Sequence, residues 1–269
     1  MRALIRSVRS GSSLLPAFAL VLAMGLSPAL AGPLKMPKAP KAPAAPVDVG
    51  VDVEAPDLNV TMSVGQMLAA LGDAARKLET SADTLFGAEM ELLEALGKAD
   101  LVLEYRARVE ALQAEASGEE RASEMVEITT DQALIDAMIE ALTDKKNKLD
   151  DERKAKAREA TVQIMVARLM AVATSEDAGR IGLATADMSR RVSEGDEALV
   201  NDISQHSDDP KAFVGDARSR AVRIGESAAG FARQSKSVKE VMDTYRKKRK
   251  LFDEIKVEEP KARFEASGF

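Results

Sequence analysis

The chain has 269 residues, a net charge of −6, no cysteine and only 3% aromatic residues. The acidic balance argues against a nucleic-acid-binding protein, because that binding depends on basic side chains that neutralise phosphates. Without cysteine there are no disulfide bonds, so stability must come from packing of Leu, Ile, Val, Met and Ala side chains, which suit close contacts between helices.

Residues 1–31 are predicted to be a secretory signal peptide. Three arginines and no acidic residue precede a short apolar stretch, residues 14–26, and Ala29-Leu30-Ala31 supplies a cleavage site of small residues. The stretch is shorter than the ~20 residues that a membrane-spanning helix needs. Cleavage after Ala31 would leave 238 residues with a net charge of −9. We therefore expect an exported protein, periplasmic or in the bacterial cell envelope; an uncleaved N-terminal anchor is the alternative.

Residues 32–56 are predicted to form an extended linker rich in Pro, Ala and Lys. Six of the ten prolines lie between Pro33 and Pro56, which favours polyproline II. Residues 47–53 alternate valine with Asp and Gly, a pattern that could pair as an edge strand with a partner. A solvated acidic linker is the preferred interpretation of this second part.

Residues 57–259 are predicted to form one helical domain. No proline occurs from Asp57 to Asp209, and apolar residues recur at helical spacing. Ser63 and Gln66 resemble a capping box, which predicts a helix start. The predicted fold class is all-α, with long amphipathic helices that form an antiparallel bundle or a coiled-coil-like assembly. Residues 260–269 are predicted to be a flexible C-terminal tail.

Capping patterns and polar interruptions predict the helix boundaries in the first part of this domain. They lie at Thr80-Ser81, at Ser117-Gly118, at Glu119 or Asp131, near Lys146-Asn147 and at Thr174. Gly87 and Gly97 fall inside the second predicted helix, where they would permit a bend or a close crossing. Between residues 143 and 160 the apolar face nearly vanishes, so this stretch is either an exposed helix or contains a turn.

The last predicted helix begins at Asp209-Pro210, a typical capping residue followed by proline at the first helical position. An apolar stripe with alternating spacings of four and three follows: Ala217, Ala221, Ile224, Ala228, Phe231, Ser235, Val238, Met242, Tyr245, Arg249 and Phe252. This period is typical of a coiled-coil contact. One long helix over residues 211–257 is favoured over a hairpin that restarts at Ser237.

The sequence offers little for catalysis or metal binding. His206 is the single histidine, which excludes a site with two histidine ligands. It lies near Asp202, Asp208 and Asp209, but a histidine at a helix C-terminus is also favourable on electrostatic grounds alone. No glycine-rich phosphate loop and no calcium-loop spacing occur. We therefore predict no catalytic residue, no metal site and no cofactor.

The sharpest charge feature is a run of five basic residues, Arg246, Lys247, Lys248, Arg249 and Lys250. They could contact anionic lipid headgroups or an acidic partner. On a helix, successive residues turn by about 100°, so the charges encircle it, whereas amphipathic membrane binding needs one face. A solvated helix end with ion pairs to Asp243, Asp253 and Glu254 is therefore the favoured interpretation.

These patterns predict a non-enzymatic helical protein that acts as a structural or protein-interaction module, with a protein partner or self-association and no nucleic acid. The alternative is a helical protein that binds lipid or a membrane surface. A third possibility is an enzyme whose site is not recognisable in the sequence.

Overall fold

The computed structural model describes residues 61–115 and 118–269. Their regular secondary structure is entirely helical, which confirms the all-α fold class. The eight helices of this part of the chain are α1 (Val64–Ala95), α2 (Ala99–Glu115), α3 (Gly118–Thr129), α4 (Gln132–Thr143), α5 (Asp151–Glu194), α6 (Glu197–Ser204), α7 (Pro210–Arg249) and α8 (Glu258–Ala266). The predicted signal peptide, residues 1–31, and linker, residues 32–56, lie outside the described residues.

Helix α1 begins at the predicted capping box. The Ser63 hydroxyl accepts a hydrogen bond of 3.2 Å from the Gln66 amide, and Gln66 Oε1 accepts one of 2.9 Å from the Ser63 amide. The helix continues through the break expected at Thr80-Ser81, which is therefore wrong. Both hydroxyls donate to carbonyl oxygens one turn earlier in the same helix, so these polar residues do not interrupt it.

The second predicted helix is divided at Gly97. This glycine has φ +83°, a left-handed conformation that ends α1, and α2 starts two residues later. Both candidate starts of the third predicted helix correspond to real helices, since α3 begins at Gly118 and α4 follows Asp131. The Asp131 carboxylate accepts a hydrogen bond of 3.0 Å from the Ala133 amide, which fixes the start of α4.

Helix α5 is 44 residues long. The chain turns between α4 and α5, as the turn alternative near Lys146-Asn147 predicted, and the Asp150 carboxylate caps α5 by accepting from the Arg153 amide at 2.8 Å. The helix start expected at Thr174 is wrong. The Thr174 hydroxyl is buried inside α5 and donates to the Met170 carbonyl oxygen at 2.9 Å.

Helix α7 is continuous over 40 residues, so the hairpin at Ser237 is wrong, and the favoured single helix is correct except that it ends at Arg249 and not at residue 257. The Asp209 carboxylate accepts hydrogen bonds of 3.0 Å from the amides of Lys211 and Ala212. The predicted stripe is buried from Ala217 to Met242. Because the helix ends at Lys250, which has φ 51°, Phe252 lies beyond it.

The core forms where α5 packs against α1 and α7. Two contacts show that α1 and α5 run in opposite directions: Lys77 Nζ lies 2.8 Å from Asp177 Oδ2, and Arg153 Nε donates to the Ala95 carbonyl oxygen at 2.7 Å. The start of α5 therefore lies beside the end of α1, which positions the site described below.

Residues 260–269 were expected to form a flexible tail, but those up to Ala266 belong to α8, and Pro260 is buried. Arg158 donates to Glu259 at 3.1 and 2.5 Å, and Arg263 forms an ion pair with Glu159. These four charged side chains hold α8 against α5.

Candidate functional site

Three helix C-termini, those of α1, α4 and α7, meet the start of α5 at one end of the described domain. We call this region the basic end, and it comprises residues 95–98, 142–156 and 246–256. The last four carbonyl oxygens of any helix lack partners within that helix, so a place where three helices end needs donors from elsewhere. At the ends of α1 and α4 the chain supplies them from two arginines and one asparagine.

Arg249 joins the end of α7 to the loop between α4 and α5. Its Nη1 donates to the carbonyl oxygens of Leu142 and Asp144, both at 2.9 Å, and its Nη2 donates to that of Asn147 at 2.6 Å. A positive charge at helix C-termini also interacts favourably with the helix dipoles. This guanidinium therefore holds residues 142–147 beside α7.

Asn147 and Arg153 tie the same loop to the end of α1. Asn147 Nδ2 donates to the carbonyl oxygens of Leu96 and Ala141 at 2.8 and 3.1 Å. Arg153 Nη2 donates to Asn147 Oδ1 at 3.3 Å, while its Nε donates to the Ala95 carbonyl oxygen. A side chain at Gly97 would place its Cβ 2.8 Å from Arg153 Nη2, so the glycine leaves room for this contact.

The structure divides the predicted run of five basic residues. Arg249 is half-buried in the contacts just described, and Arg246 is 9% exposed. Arg246 lies 3.9 Å from Asp243 and 4.0 Å from Glu254, and its Nε has no hydrogen-bond partner among the described residues. Lys247, Lys248 and Lys250 are exposed, with Lys248 Nζ 5.4 Å from the centre of the Tyr245 ring, so within the run it is the lysines that present their charge to solvent.

A second group of lysines, which the sequence analysis did not identify, lies at the same end. Lys145, Lys146 and Lys148 are exposed in the loop between α4 and α5, and none has an ion pair within residues 61–115 and 118–269. The run Lys-Lys-Asn-Lys at residues 145–148 could have been recognised in the sequence as a second basic cluster. Its proximity to α7 depends on the contacts of Arg249 across about a hundred residues of sequence, which no local pattern reveals.

An open groove of about 720 Å³ lies beside the basic end, between α2 and α4. Its charged lining consists of Lys98, Asp100, Glu104, Asp136 and Glu140. Lys98 Nζ lies 2.5 Å from Glu140 Oε2, and all four carboxylates belong to exposed residues.

His206 stacks against Phe213, with 6.2 Å between the ring centroids. Among the residues that the structure describes, no group of three His, Asp or Glu side chains is arranged to hold a metal ion.

Glu89 is the most unusual titratable group of the core, and the sequence analysis missed it. The residue is completely buried on α1, its Oε1 accepts a hydrogen bond of 3.2 Å from Gln234 of α7, and its Oε2 has no partner among the described residues. Burial raises the pKa of Glu89 to about 8. A signal existed, because Glu89 falls one turn after Leu85 and one turn before Leu93, on the apolar face.

Comparison with known proteins gave no relative: no family model, no curated protein and no solved structure matches this chain. None of the described helices combines the length and the apolar character needed to span a membrane.

Proposed function

We propose that this chain is an exported, periplasmic or cell-envelope protein without enzymatic activity, whose helices form an antiparallel bundle with coiled-coil-like contacts. In this proposal it acts as a structural or protein-interaction module. The observation that carries the proposal is an open, largely apolar face on α5, the helix that otherwise forms the centre of the core.

This face, which we call the α5 stripe, consists mainly of apolar and small residues, with the exposed Glu176 among them: Met165, Leu169, Val172, Gly179, Gly182, Leu183 and Ala186. Val172 and Leu183 are 40% and 38% exposed. They are eleven residues apart, so they point in directions that differ by only about 20°. A Cβ added at Gly179 or Gly182 would meet nothing within 4 Å. The stripe is therefore open along about three turns of α5.

A second helix placed on the α5 stripe would bury apolar surface, worth about 25 cal/mol per Å². The glycines would let its backbone approach closely, and the spacing of the stripe suits helix-on-helix packing. We propose a second copy of the chain or a helical partner protein as the occupant.

Size-exclusion chromatography with light scattering, together with capture from envelope extract, tests this role. Wild type should self-associate or retain a stoichiometric partner, and Val172→Glu with Leu183→Glu should abolish that association without lowering the melting temperature. Val222→Glu is the matched control, because Val222 is 48% exposed on α7. A wild-type protein that stays monomeric and captures nothing would contradict the proposal.

Export is tested separately by the N-terminus of the protein recovered from the envelope. We expect it to begin at Gly32, which follows the small-residue cleavage site. A retained Met1 would instead support the uncleaved anchor.

The alternative function is binding to lipid or to a membrane surface. It is supported by the exposure of Lys247, Lys248 and Lys250 at the end of α7. Polybasic segments of this kind are attracted to anionic lipid by about 1 kcal/mol per residue near the surface.

A further inference from the structure

We propose that two separate groups of lysines form one binding site for the phosphate groups of an anionic lipid surface. The site, called here the lysine site, consists of Lys145, Lys146 and Lys148 from the loop before α5 and Lys247, Lys248 and Lys250 from the end of α7. The inference rests on the alternative function above and does not depend on the α5 stripe.

The contacts of Arg249 bring the two groups together. This side chain extends from α7, between Lys248 and Lys250, and donates to three carbonyl oxygens within residues 142–147 at 2.6–2.9 Å. The backbone of the loop that carries Lys145, Lys146 and Lys148 therefore lies beside the end of α7, bridged by the length of one arginine side chain. Charges are screened over a Debye length of about 8 Å at physiological salt, so lysines on two segments joined by direct contact contribute to one local potential.

The charge of this region opposes that of the rest of the chain. Residues 144–156 and 246–256 contain twelve Lys and Arg and six Asp and Glu, a net charge of +6, whereas the whole chain has −6 and the remainder therefore −12. Two of the acids, Asp144 and Asp150, accept hydrogen bonds of 2.8 Å from backbone amides, and Asp151 is paired with Lys154 at 3.0 Å. An anionic surface would therefore attract this end and repel the rest.

The choice of lysine favours a lipid surface over an acidic protein. Arginine presents a rigid fork that matches a carboxylate in fixed geometry, whereas lysine is a compact, mobile point charge. Both arginines of the α7 run are engaged in contacts within the protein, and only lysines are left exposed. Six mobile charges on exposed side chains suit a field of many headgroups better than a fixed set of carboxylates.

The division of the α7 run is compatible with this geometry. Its two arginines face the protein, so its three lysines lie on the solvent side of the helix end, and the loop adds three more at the same end. All six can therefore face one surface when the end of α7 meets it.

Co-sedimentation of the mature protein with vesicles of equimolar phosphatidylcholine and phosphatidylglycerol tests the proposal. Replacing either group of three lysines with glutamine should lower the partition coefficient on the order of a hundredfold at low salt, and replacing all six should abolish binding. Changing Lys211, Arg218 and Lys236 to glutamine is the control, because it removes the same charge from exposed residues elsewhere on α7 and should leave binding nearly unchanged. Circular dichroism should show the same helicity for all variants.

The outcomes separate the inference from the function on which it rests. If only the α7 lysines matter, membrane binding stands and the composite site is wrong. If wild type does not bind the vesicles, both are wrong, and binding of polyglutamate in that case would indicate an acidic protein partner. Displacement by millimolar inorganic phosphate at constant ionic strength would indicate a site for free phosphate and would also overturn the proposal.

Discussion

Gln234 of α7 donates a hydrogen bond of 3.2 Å to Oε1 of Glu89 on α1, and this buried carboxyl has no second partner among the described residues. Two long helices thus share a polar contact inside the core. Burial raises the pKa of Glu89 to about 8, so the folded protein holds a proton there that the unfolded chain releases near its ordinary value of 4.5. Proton binding at Glu89 is therefore linked to folding.

The first prediction concerns this linkage. Because the folded pKa is raised, the stabilisation from protonated Glu89 is fully present below 4.5 and is lost as the pH rises through about 8. Glu89→Gln should remove that loss and raise the unfolding free energy near pH 9 by up to about 5 kcal/mol relative to wild type. Urea unfolding at about pH 6 and pH 9 measures it. Glu91→Gln, exposed on the same helix, is the control, and equal pH dependence of wild type and Glu89→Gln would disprove the linkage.

The second prediction compares two glycines with the same φ of +83°, Gly97 and Gly195. Alanine in this conformation costs about 1–2 kcal/mol at either position. At Gly97 the new Cβ would also displace Arg153, whereas at Gly195 it would meet nothing within 4 Å. Gly97→Ala should therefore be the more destabilising change by about 1–3 kcal/mol, the cost of leaving a buried polar group without its partner.

A double-mutant cycle identifies the cause of that difference. In an Arg153→Ala background, Gly97→Ala and Gly195→Ala should become equally destabilising in denaturant unfolding. A difference that persists without Arg153 would show that the guanidinium contact is not its origin.

The third prediction concerns the buried stripe of α7. Phe231→Asp should lower the unfolding free energy by several kcal/mol, because it removes a fully buried aromatic ring and inserts a charge without a partner. Val222→Asp, at a position of the same helix that is half exposed, should cost less than about 1 kcal/mol. Thermal melts of both variants measure this. A melting temperature of Phe231→Asp that equals that of wild type would mean that this stripe is not a packing surface.

The fourth prediction concerns α8. Hydrogen bonds from Arg263 and Arg158 hold the pKa values of Glu159 and Glu259 below their usual range. Carboxyls with lowered pKa contribute stability above about 4.5 and lose it as the pH falls through the folded values. The gain is limited to about 1 kcal/mol per pair, since these side chains are partly solvated.

Glu159→Gln with Glu259→Gln should therefore speed amide hydrogen exchange in residues 258–266 near neutral pH and leave α1 unchanged. Glu194→Gln, which breaks an exposed ion pair with Arg190 on the same α5, is the control. Unchanged exchange in α8 would show that apolar contacts alone hold it.

The sequence predicted the helices that carry a strong local signal. Ser63 with Gln66 and Asp209 with Pro210 fix helix starts through contacts within three residues, and both are observed. The breaks expected at Thr80-Ser81 and Thr174 failed because hydroxyl groups can bond to the preceding turn and remain inside a helix. Local composition does not distinguish a polar residue that caps the end of a helix from a polar residue that lies inside the helix.

The candidate site was less predictable for a different reason. The sequence identified the run that contains Arg249 and Lys250, but not that its arginines face the protein and its lysines face solvent. That division depends on carbonyl groups at the ends of α1 and α4, and on Asn147, which lie far away in sequence. The structure was needed to show which charges remain available.

The position of α7 in the chain has a consequence for the order of folding. Helix α5 packs most extensively against α7, which is synthesised after it, and residues such as Ile224 and Phe231 complete the shared core. A nascent chain, or one that threads a translocation pore from its N-terminus, must therefore keep the α7-facing side of α5 uncovered until most of the polypeptide has emerged. Late closure of the core would keep the precursor unfolded for passage through such a pore, as the proposed export requires.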